Sequence, residues 1–334
     1  MFLSLGTAVL LMAPVAARAD KFAGDFMAIG AGARALGMGG AFSAVADDAS
    51  TIYWNPAGMS GFEKRQLMLM HSEQFGNLID YNFGSYVSPT GLVSDEREGA
   101  FGIALVHMGI DDIIVTNDLT FSDVDGDGIF EPSEGDRLNY DPNDLKKEAN
   151  NDYAMYMSFA GKTGLGRVGG TLKLLYTSTI AGFSATGIGL DLGYLRRDVF
   201  RHFDVGVKLQ DITGTFISWS SGHNEFIAPS VKLGTAYTVE SARLNGKMIV
   251  AADGDFYFEE RQQASQFWSG RYSLDLHLGV ELIFQEKVMV RGGFDAENPT
   301  AGAGFQIGFF GFDYAYLHHD DFEATNRVSA FVEF

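Results

Sequence analysis

The sequence predicts an all-β fold, a 14-stranded antiparallel transmembrane β-barrel with an N-terminal hatch (plug) segment in the lumen. Three observations lead to this prediction. Long segments alternate apolar and polar residues, and their number is even. Short connections between these segments alternate with long ones. A segment rich in small residues precedes the first of them.

The start of the chain predicts a secretory signal peptide over residues 1–19. An apolar run from Leu3 to Val15 is followed by Ala17-Arg18-Ala19. The run is too short to span a bilayer, and it ends in the small-x-small pattern of a cleavage site. An N-terminal membrane anchor is the alternative interpretation of the same run.

Residues 20–62 contain too few large side chains to form a core of their own. The stretch from Gly30 to Met59 includes six Gly and eight Ala, and it ends in a compact reversal around Asn55-Pro56. A ring of fourteen strands leaves a lumen that its own side chains do not fill. We therefore predict that residues 20–62 form the hatch.

The clearest strand pattern runs from Tyr272 to Phe284. One face is apolar, and the other carries Asp275, His277 and Glu281. A period of two over thirteen residues is longer than a usual soluble strand, and it fits a strand that crosses a bilayer with an overhang. A soluble sandwich that buries the apolar face is the alternative that alternation alone leaves open.

The same alternation defines the whole set of strands. They lie near 66–73, 78–88, 99–108, 151–162, 166–177, 184–196, 201–212, 228–238, 245–256, 271–284, 287–296, 300–308, 310–319 and 326–334. Short connections such as 163–165 and 285–286 alternate with the long connections 109–150, 213–227 and 257–270. This asymmetry predicts periplasmic turns and outer loops, with the outer-membrane β-barrel over residues 63–334.

The composition excludes several classes of protein. Beyond the first residues no window approaches ~20 uninterrupted apolar residues, which argues against a helical membrane protein. Cys is absent, so neither disulfides nor thiolate metal sites are expected. A net charge of -19 argues against a nucleic acid as partner.

Two runs in the N-terminal segment carry a family resemblance. Gly32–Phe42, GARALGMGGAF, and Ala46–Met59, ADDASTIYWNPAGM, resemble the signature of the PorV/PorQ branch of the FadL-like outer-membrane proteins. The resemblance implies a barrel in the bacterial cell outer membrane whose hatch turns at Asn55, Pro56 and Ala57. FadL-type members move long-chain fatty acids or other hydrophobic compounds. PorV-type members are accessory subunits of type IX protein secretion that engage cargo.

The chain closes on an alternating segment, Arg327–Phe334, with an aromatic residue at its end. In bacterial outer-membrane proteins such an ending resembles the signal that the barrel-assembly machinery reads. We therefore expect Phe334 to engage that machinery and the apolar strand faces to contact outer-membrane lipid.

The outer loop 109–150 contains a calcium-type loop at 123–134 that matches D-x-D-x-D-G-x5-E. The predicted ligands are Asp123, Asp125, Asp127, the Ile129 carbonyl, Glu131 and Glu134. Residues 109–150 hold twelve acidic and three basic side chains, and a cation would relieve their repulsion. An Asp-rich solvated turn is the alternative.

Charged residues also recur on the polar faces of the predicted strands. They include Asp191, Asp204, Asp275, Glu281, Asp313 and Glu333, together with Lys208, Arg291 and Arg327. In a barrel lumen such residues face water or a plug, so no catalytic site and no enzyme are predicted. Arg34 of the hatch is the expected partner of these acids.

The leading functional hypothesis is the binding or passage of hydrophobic small molecules such as long-chain fatty acids, with the hatch as gate. Because the inner face is polar, an apolar route needs aromatic residues of the outer loops, including Phe216, Trp219, Phe267 and Trp268. The alternative is a PorV-like accessory subunit of type IX secretion that binds a secreted cargo protein through the same loops.

Overall fold

A computed structural model describes residues 24–76, 78–90, 99–115, 120–124, 126, 128–131, 133, 135, 137–139, 145–180, 182–241, 245–262, 264–318 and 324–334. The predicted signal peptide, 1–19, lies outside the described residues. Asp125, Asp127 and Glu134 of the predicted calcium loop also lie outside them.

Nearly all of the described chain beyond residue 65 is strand. The strands are β1 (Gln66–Gln74), β2 (Ile79–Thr90), β3 (Gly99–Ile114), β4 (Thr120–Ser122), β5 (Arg137–Asn139), β6 (Lys147–Thr163), β7 (Gly166–Ser178), β8 (Ser184–Phe200), β9 (Phe203–Gln210), β10 (Thr215–Trp219), β11 (Asn224–Ile227), β12 (Ser230–Ser241), β13 (Gly246–Tyr257), β14 (Phe267–Ser269), β15 (Tyr272–Phe284), β16 (Val288–Asp295), β17 (Asn298–Ile307), β18 (Phe310–Leu317) and β19 (Thr325–Glu333). β4 and β5 form a separate hairpin, and the other strands belong to one antiparallel sheet.

This sheet closes on itself because β1 pairs with β2 on one side and with β19 on the other. β9 and β10 are two parts of one interrupted strand, β11 and β12 are two parts of the next, and β14 is a short addition beside β15. Within the described ranges the ring is therefore a closed 14-stranded antiparallel barrel. The predicted fold class is confirmed.

Side chains alternate between the inside and the outside of the ring, as the period of two requires. On β15, Asp275 and Glu281 are buried, whereas the intervening Leu276 and Leu278 are 40% and 51% exposed. A sandwich would bury these leucines in its core. Their exposure on the outside of a closed ring removes the sandwich alternative.

The wall is interrupted between β9 and β10. Leu192 of β8 pairs with Leu209 of β9, and Ile188 of β8 pairs with Phe216 of β10. From one pair to the next there are four residues along β8 but seven along β9 and β10, so three residues have no partner on β8 and form a bulge. Asp211 lies in this bulge with a left-handed backbone φ of 53°. Its side chain is turned into the barrel and is almost fully buried.

The adjacent strand is interrupted too, at residues 228–229. Pro229 has no amide hydrogen to donate to a neighbouring strand, which favours a break at this position. The prediction of a long loop over 213–227 is wrong, because β10 and β11 occupy most of it and only residues 220–223 connect them. The turn-forming residues Asp211–Gly214 lie in the bulge between β9 and β10 and do not begin a long loop.

The segment before β1 contains only short helices. They are the α-helices α1 (Ala33–Gly37) and α2 (Thr51–Trp54) and the 3₁₀ helices Asp25–Ala28 and Pro56–Gly61. No helix in the described part of the chain is long and apolar enough to span a membrane.

This N-terminal segment lies against the inward-facing side of the strands. α1 contacts β16, β17, β18 and β19, and the 3₁₀ helix Pro56–Gly61 contacts β2, β3, β6, β7 and β8. The two groups of strands lie on different parts of the ring. The hatch over residues 20–62 stays a prediction, and these contacts support it.

The two ends of the barrel sequence meet beside the seam between β1 and β19. The backbones of Arg65 and Phe334 exchange two hydrogen bonds of 3.0 Å. The Phe334 side chain is 60% exposed and stacks on the outward-facing Tyr86, with 6.5 Å between the ring centroids. The role of Phe334 in assembly stays a prediction.

Candidate binding site in the lumen

One side of the N-terminal segment is attached to the wall by buried ion pairs. Arg34 of α1 donates two hydrogen bonds to Glu281, from Nε to Oε1 at 2.9 Å and from Nη2 to Oε2 at 2.7 Å. Arg291 donates from Nε to the same Oε1 at 2.7 Å, and its Nη1 lies 2.7 Å from Asp313 Oδ1. The sequence predicts Arg34 as a partner of the inward-facing acids, and Glu281 is that partner.

Two acids of the segment itself complete the surroundings of Arg34. Its Nη1 lies 2.6 Å from Asp47 Oδ1 and 3.4 Å from Asp48 Oδ2. Burial raises the pKa of Asp48, and the charge of Arg34 offsets only part of that effect. Burial alone would lower the pKa of Arg34, but Asp47, Glu281 and Asp48 raise it well above its ordinary value. Arg34 therefore stays a cation inside the barrel.

The predicted hatch turn forms around Asn55. Its Oδ1 accepts from Ala57 N at 3.2 Å and begins the 3₁₀ helix, in which Pro56 takes the first position. Its Nδ2 donates to Ser43 O at 2.8 Å and to Tyr194 O at 3.0 Å. The fully buried amide of Asn55 thus joins two parts of the segment to β8.

The backbone at residues 42–43 is held by β13. Asp253 Oδ2 accepts from Phe42 N at 3.2 Å and from Ser43 N at 2.8 Å. A charged acceptor makes such hydrogen bonds stronger than neutral ones.

Sequence reasoning missed the glycines that let the segment approach the wall. Inward-facing glycines that meet its backbone or side chains are Gly169, Gly193, Gly206, Gly234, Gly279 and Gly293. A Cβ on Gly206, for example, would lie 2.1 Å from Ser43 O. The sequence does contain a signal for this contact, because glycine recurs on the polar face of successive strands. Glycine in a strand often marks a site where another backbone approaches closely.

Around Tyr53 and Trp54 the segment has neutral hydrogen bonds of its own and contacts two lysines of the wall, Lys208 and Lys232, the latter 4.9 Å from the centre of the Trp54 ring. Tyr53 Oη donates to Met27 O at 2.6 Å, and Trp54 Nε1 donates to Ala31 O at 2.7 Å. Lys208 Nζ donates to Tyr53 O at 2.7 Å. The bond from Tyr53 to Met27 fixes the 3₁₀ helix Asp25–Ala28 near the start of the described chain.

A cavity of about 270 Å³ lies between this 3₁₀ helix and the interrupted strands. Its apolar lining consists of Met27, Ala28, Ile29, Leu36, Trp54, Ile227, Ala228 and Ala296. Asp211, Ile227 and Ala228 flank the two interruptions and also line the cavity. The defect in the wall and the internal cavity are therefore adjacent.

The charged lining of the cavity has more acids than bases. The acids are Asp25, Asp211, Asp255, Glu259, Asp275 and Asp295, and the bases, apart from His277, are Lys208, Lys232 and Arg261. Each base already contacts a carboxylate. Lys208 lies 3.2 Å from Asp191, Lys232 lies 2.7 Å from Asp255, and Arg261 lies 2.9 Å from Asp275. The cavity is therefore unfavourable for an anion.

The four aromatic residues predicted to bind ligand at the outer loops are not part of this cavity. Phe216 on β10 and Phe267 on β14 are 51% and 55% exposed, and Trp268 is 41% exposed. Trp219 Nε1 donates to Glu225 Oε1 at 2.6 Å. Their role in binding stays a prediction.

Part of the predicted calcium loop is described. Asp123 accepts from Gly126 N at 2.6 Å and from Gly128 N at 2.8 Å, which curves the chain around its carboxylate. Ile129 and Glu131 are exposed or half-exposed. Because the remaining carboxylates lie outside the described residues, calcium binding stays a prediction.

A family model described as an uncharacterised protein family (UPF0164) matches residues 4–91. No curated protein matches the sequence. The family match does not carry the PorV/PorQ name, so that finer resemblance stays a prediction.

Solved structures resemble the whole barrel. The CymD monoaromatic hydrocarbon channel is 14% identical, with a TM-score of 0.59 over 92% of this chain and 98% of that chain. The P. putida toluene transporter TodX is 13% identical, with a TM-score of 0.55 over 91% and 99%. A Pseudomonas aeruginosa FadL homologue is 12% identical, with a TM-score of 0.51 over 89% and 96%. The chain therefore shares the fold of FadL-type barrels.

Proposed function

We propose that the chain is a non-enzymatic barrel of the bacterial outer membrane that binds and passes small, neutral hydrophobic molecules. The observation that carries the proposal is the cavity of about 270 Å³ beside the interrupted wall, with Trp54, Leu36 and Ile227 in its lining. A cavity of this size suits a molecule with a single ring or a short chain. Two similar structures are named a monoaromatic hydrocarbon channel and a toluene transporter.

The charges of the cavity favour a neutral ligand over a fatty acid. A carboxylate headgroup would enter a region in which acids outnumber bases and in which Lys208, Lys232 and Arg261 already contact carboxylates. It would have to displace one of these pairs or remain unpaired, and both are costly. A neutral aromatic molecule needs only the apolar part of the lining. Long-chain fatty acids, the sequence-based example, are therefore the less suitable class.

The hatch acts as a gate at the 3₁₀ helix Asp25–Ala28. The 3₁₀ helix Asp25–Ala28 borders the cavity, and a Cβ on Gly24 would lie 2.5 Å from Ile227 Cδ1, so the chain lies directly against the interruption. The Tyr53 hydroxyl holds this helix through Met27 O. Movement of Asp25–Ala28 alone would enlarge the cavity while the Arg34 side of the hatch stays in place.

A substitution that fills the cavity tests the proposal. Ala228→Trp places a large side chain in the cavity lining, and Leu209→Trp, on the outward face of β9, is the matched control. In cells that lack other hydrocarbon channels, we expect Ala228→Trp to lower uptake of labelled toluene about tenfold and Leu209→Trp to leave it unchanged. Equal uptake by the wild type, both variants and an empty-vector strain would contradict the proposal.

The outward faces of the strands support the membrane location. Leu69, Leu278 and Val290 are among the large apolar side chains that the closed ring exposes on its outside. Exposed apolar surface on this scale requires a covering, and outer-membrane lipid supplies it. Fractionation of cell envelopes should place the protein in the outer membrane, and recovery in the detergent-free soluble fraction would contradict this location.

Binding of a secreted cargo protein is a second candidate. Phe267 and Trp268 are exposed beside each other at the end of the barrel that carries the loop 109–150. Exposed aromatic residues are common anchors in protein interfaces. Stable capture of a secreted protein or of a secretion subunit that is lost in Trp268→Ser would support this candidate.

We also propose that the loop 123–134 binds calcium. The Asp123 carboxylate, turned towards the backbone amides of Gly126 and Gly128, fits the first position of such a loop. Asp127→Ala with Glu134→Ala should abolish the calcium-dependent protection of residues 109–150 from protease. Equal cleavage of the wild type with and without calcium would contradict calcium binding.

A further inference from the structure

A second polar cluster lies on the outside of the barrel, away from the cavity. His71 and Glu73 project outward from β1, and Asp80 projects outward from the start of β2. One nitrogen of His71 and one oxygen of each carboxylate all lie within 4.8 Å of one another. This distance is short enough for the three groups to share one ion.

The two carboxylates of this cluster face each other across the hairpin. Glu73 and Asp80 are directly paired in the register of β1 and β2. Like charges at directly opposite positions destabilise a strand pair. Within the described part of the chain, no Lys or Arg forms an ion pair with either of them. The arrangement therefore has a cost that a cation between the carboxylates would remove.

His71 is oriented so that one ring nitrogen is available to such a cation. Its Nδ1 lies 2.8 Å from Asn82 Oδ1, an acceptor, so Nδ1 carries a proton, and in the neutral ring Nε2 is the nitrogen with the lone pair. Nε2 is the atom that faces Glu73, 3.7 Å from Oε1. Histidines that bind metals are oriented in this way by a second hydrogen bond.

The orientation of Asn82 is itself fixed by its neighbours. Its Nδ2 lies 3.3 Å from His107 Nδ1 and donates to it. His107 Nε2 then donates to Asn151 Oδ1 at 2.9 Å. Each hydrogen bond in this chain, from Asn151 on β6 through His107 on β3 and Asn82 on β2 to His71 on β1, therefore joins one donor to one acceptor.

We propose that His71 Nε2, Glu73 and Asp80 bind a divalent transition-metal ion such as Zn²⁺. One imidazole and two carboxylates are suitable ligands for this class, and the outward side leaves a position for water. The ion would join β1 to β2 beside the seam at which β1 meets β19. The site is independent of the luminal cavity and of the proposed transport.

The test uses the full-length protein without a polyhistidine tag, purified in detergent. Titration with Zn²⁺ should give a saturable site, and Cu²⁺ in its place should give an electron paramagnetic resonance spectrum with nitrogen coupling from one imidazole. His71→Ala should remove the nitrogen coupling and weaken Zn²⁺ binding by about 100-fold. His223→Ala, an exposed histidine in the turn 220–223, is the matched control and should change neither.

Two further variants separate ligation from folding. Glu73→Gln with Asp80→Asn keeps the shape of the hairpin and should also abolish the site. Asn82→Leu leaves all three ligands but removes the orienting bond to His71, so binding should weaken about 10-fold. A heat-modifiable gel shift would show that each variant retains the barrel. Wild-type protein without nitrogen coupling, or His71→Ala with wild-type Zn²⁺ affinity, would overturn the proposal.

Discussion

Two parts of the N-terminal segment, α1 and the 3₁₀ helix Asp25–Ala28, are held in place in different ways. At α1, Arg34 enters a buried network with Glu281 and Arg291, and the backbones approach so closely that a Cβ on Gly37 would lie 3.2 Å from Gly302 Cα. At Tyr53 a single hydrogen bond within the segment, from the hydroxyl to Met27 O, holds the 3₁₀ helix Asp25–Ala28, and the cavity lies beside it. The difference indicates a fixed part and a part with room to move.

The physical basis of this difference is the cost of leaving a charge unpaired. A buried ion pair adds little to stability when it is intact, but removal of one partner is strongly destabilising. A neutral hydrogen bond such as that from Tyr53 to Met27 contributes about 1 kcal/mol. Release of Asp25–Ala28 from the Tyr53 hydroxyl therefore requires far less free energy than release of Arg34 from Glu281.

Arg34→Met should have the largest effect. The substitution removes both hydrogen bonds from residue 34 to the fully buried Glu281. Glu281 then has Arg291 as its remaining cationic partner. We expect a loss of about 3 kcal/mol in the free energy that holds the segment in the lumen. In planar bilayers the variant should show frequent openings to high conductance. Arg201→Met, at the exposed turn after β8, is the control, and the same openings in both variants would remove the special role of Arg34.

Gly293→Val should have an intermediate effect. A Cβ at Gly293 would lie 2.4 Å from Leu278 O of the neighbouring β15 and 2.7 Å from Met38 C of the segment, so both the strand and the segment have to shift. Overpacking of this kind costs about 1–3 kcal/mol. The adjacent Gly292 faces outward, and its nearest atom, Thr300 O, would be 3.8 Å away. Gly292→Val should therefore unfold like the wild type in heat-modifiability gels, whereas Gly293→Val unfolds at lower temperature.

Tyr53→Phe should have the smallest effect on stability and a visible effect on transport. It removes the hydroxyl that holds Met27 O and changes nothing at Arg34. We expect unfolding close to that of the wild type, with about a threefold increase in toluene uptake, because about 1 kcal/mol of restraint on Asp25–Ala28 is lost. Tyr316→Phe, on an outward strand face, is the control. Unchanged uptake in Tyr53→Phe would mean that this helix is not the moving part.

The sequence predicts the ring of strands, and it predicts which side chains face inward and which face outward, because both follow from a local period of two. The alternation from Tyr272 to Phe284 is sufficient to place Glu281 inside and Leu278 outside, and the pairing of Glu281 with Arg34 follows from their charges. The interruption at Asp211–Gly214 could not be found in this way. It depends on the register of β9 and β10 against β8, whereas its composition is that of an ordinary loop. The cavity depends on the same register, so it was missed too.

The position of the N-terminal segment inside the ring can be tested with one engineered disulfide, since the chain contains no cysteine. A Cβ at Gly37 would lie 3.6 Å from Ala315 Cβ on β18, within the roughly 3.5–4.5 Å that a disulfide spans. Under mild oxidation in native outer membranes, Gly37→Cys with Ala315→Cys should cross-link almost completely. Gly37→Cys with Tyr316→Cys, the next residue on the outward face, should not. Equal cross-linking of both pairs, or none with position 315, would contradict a luminal position.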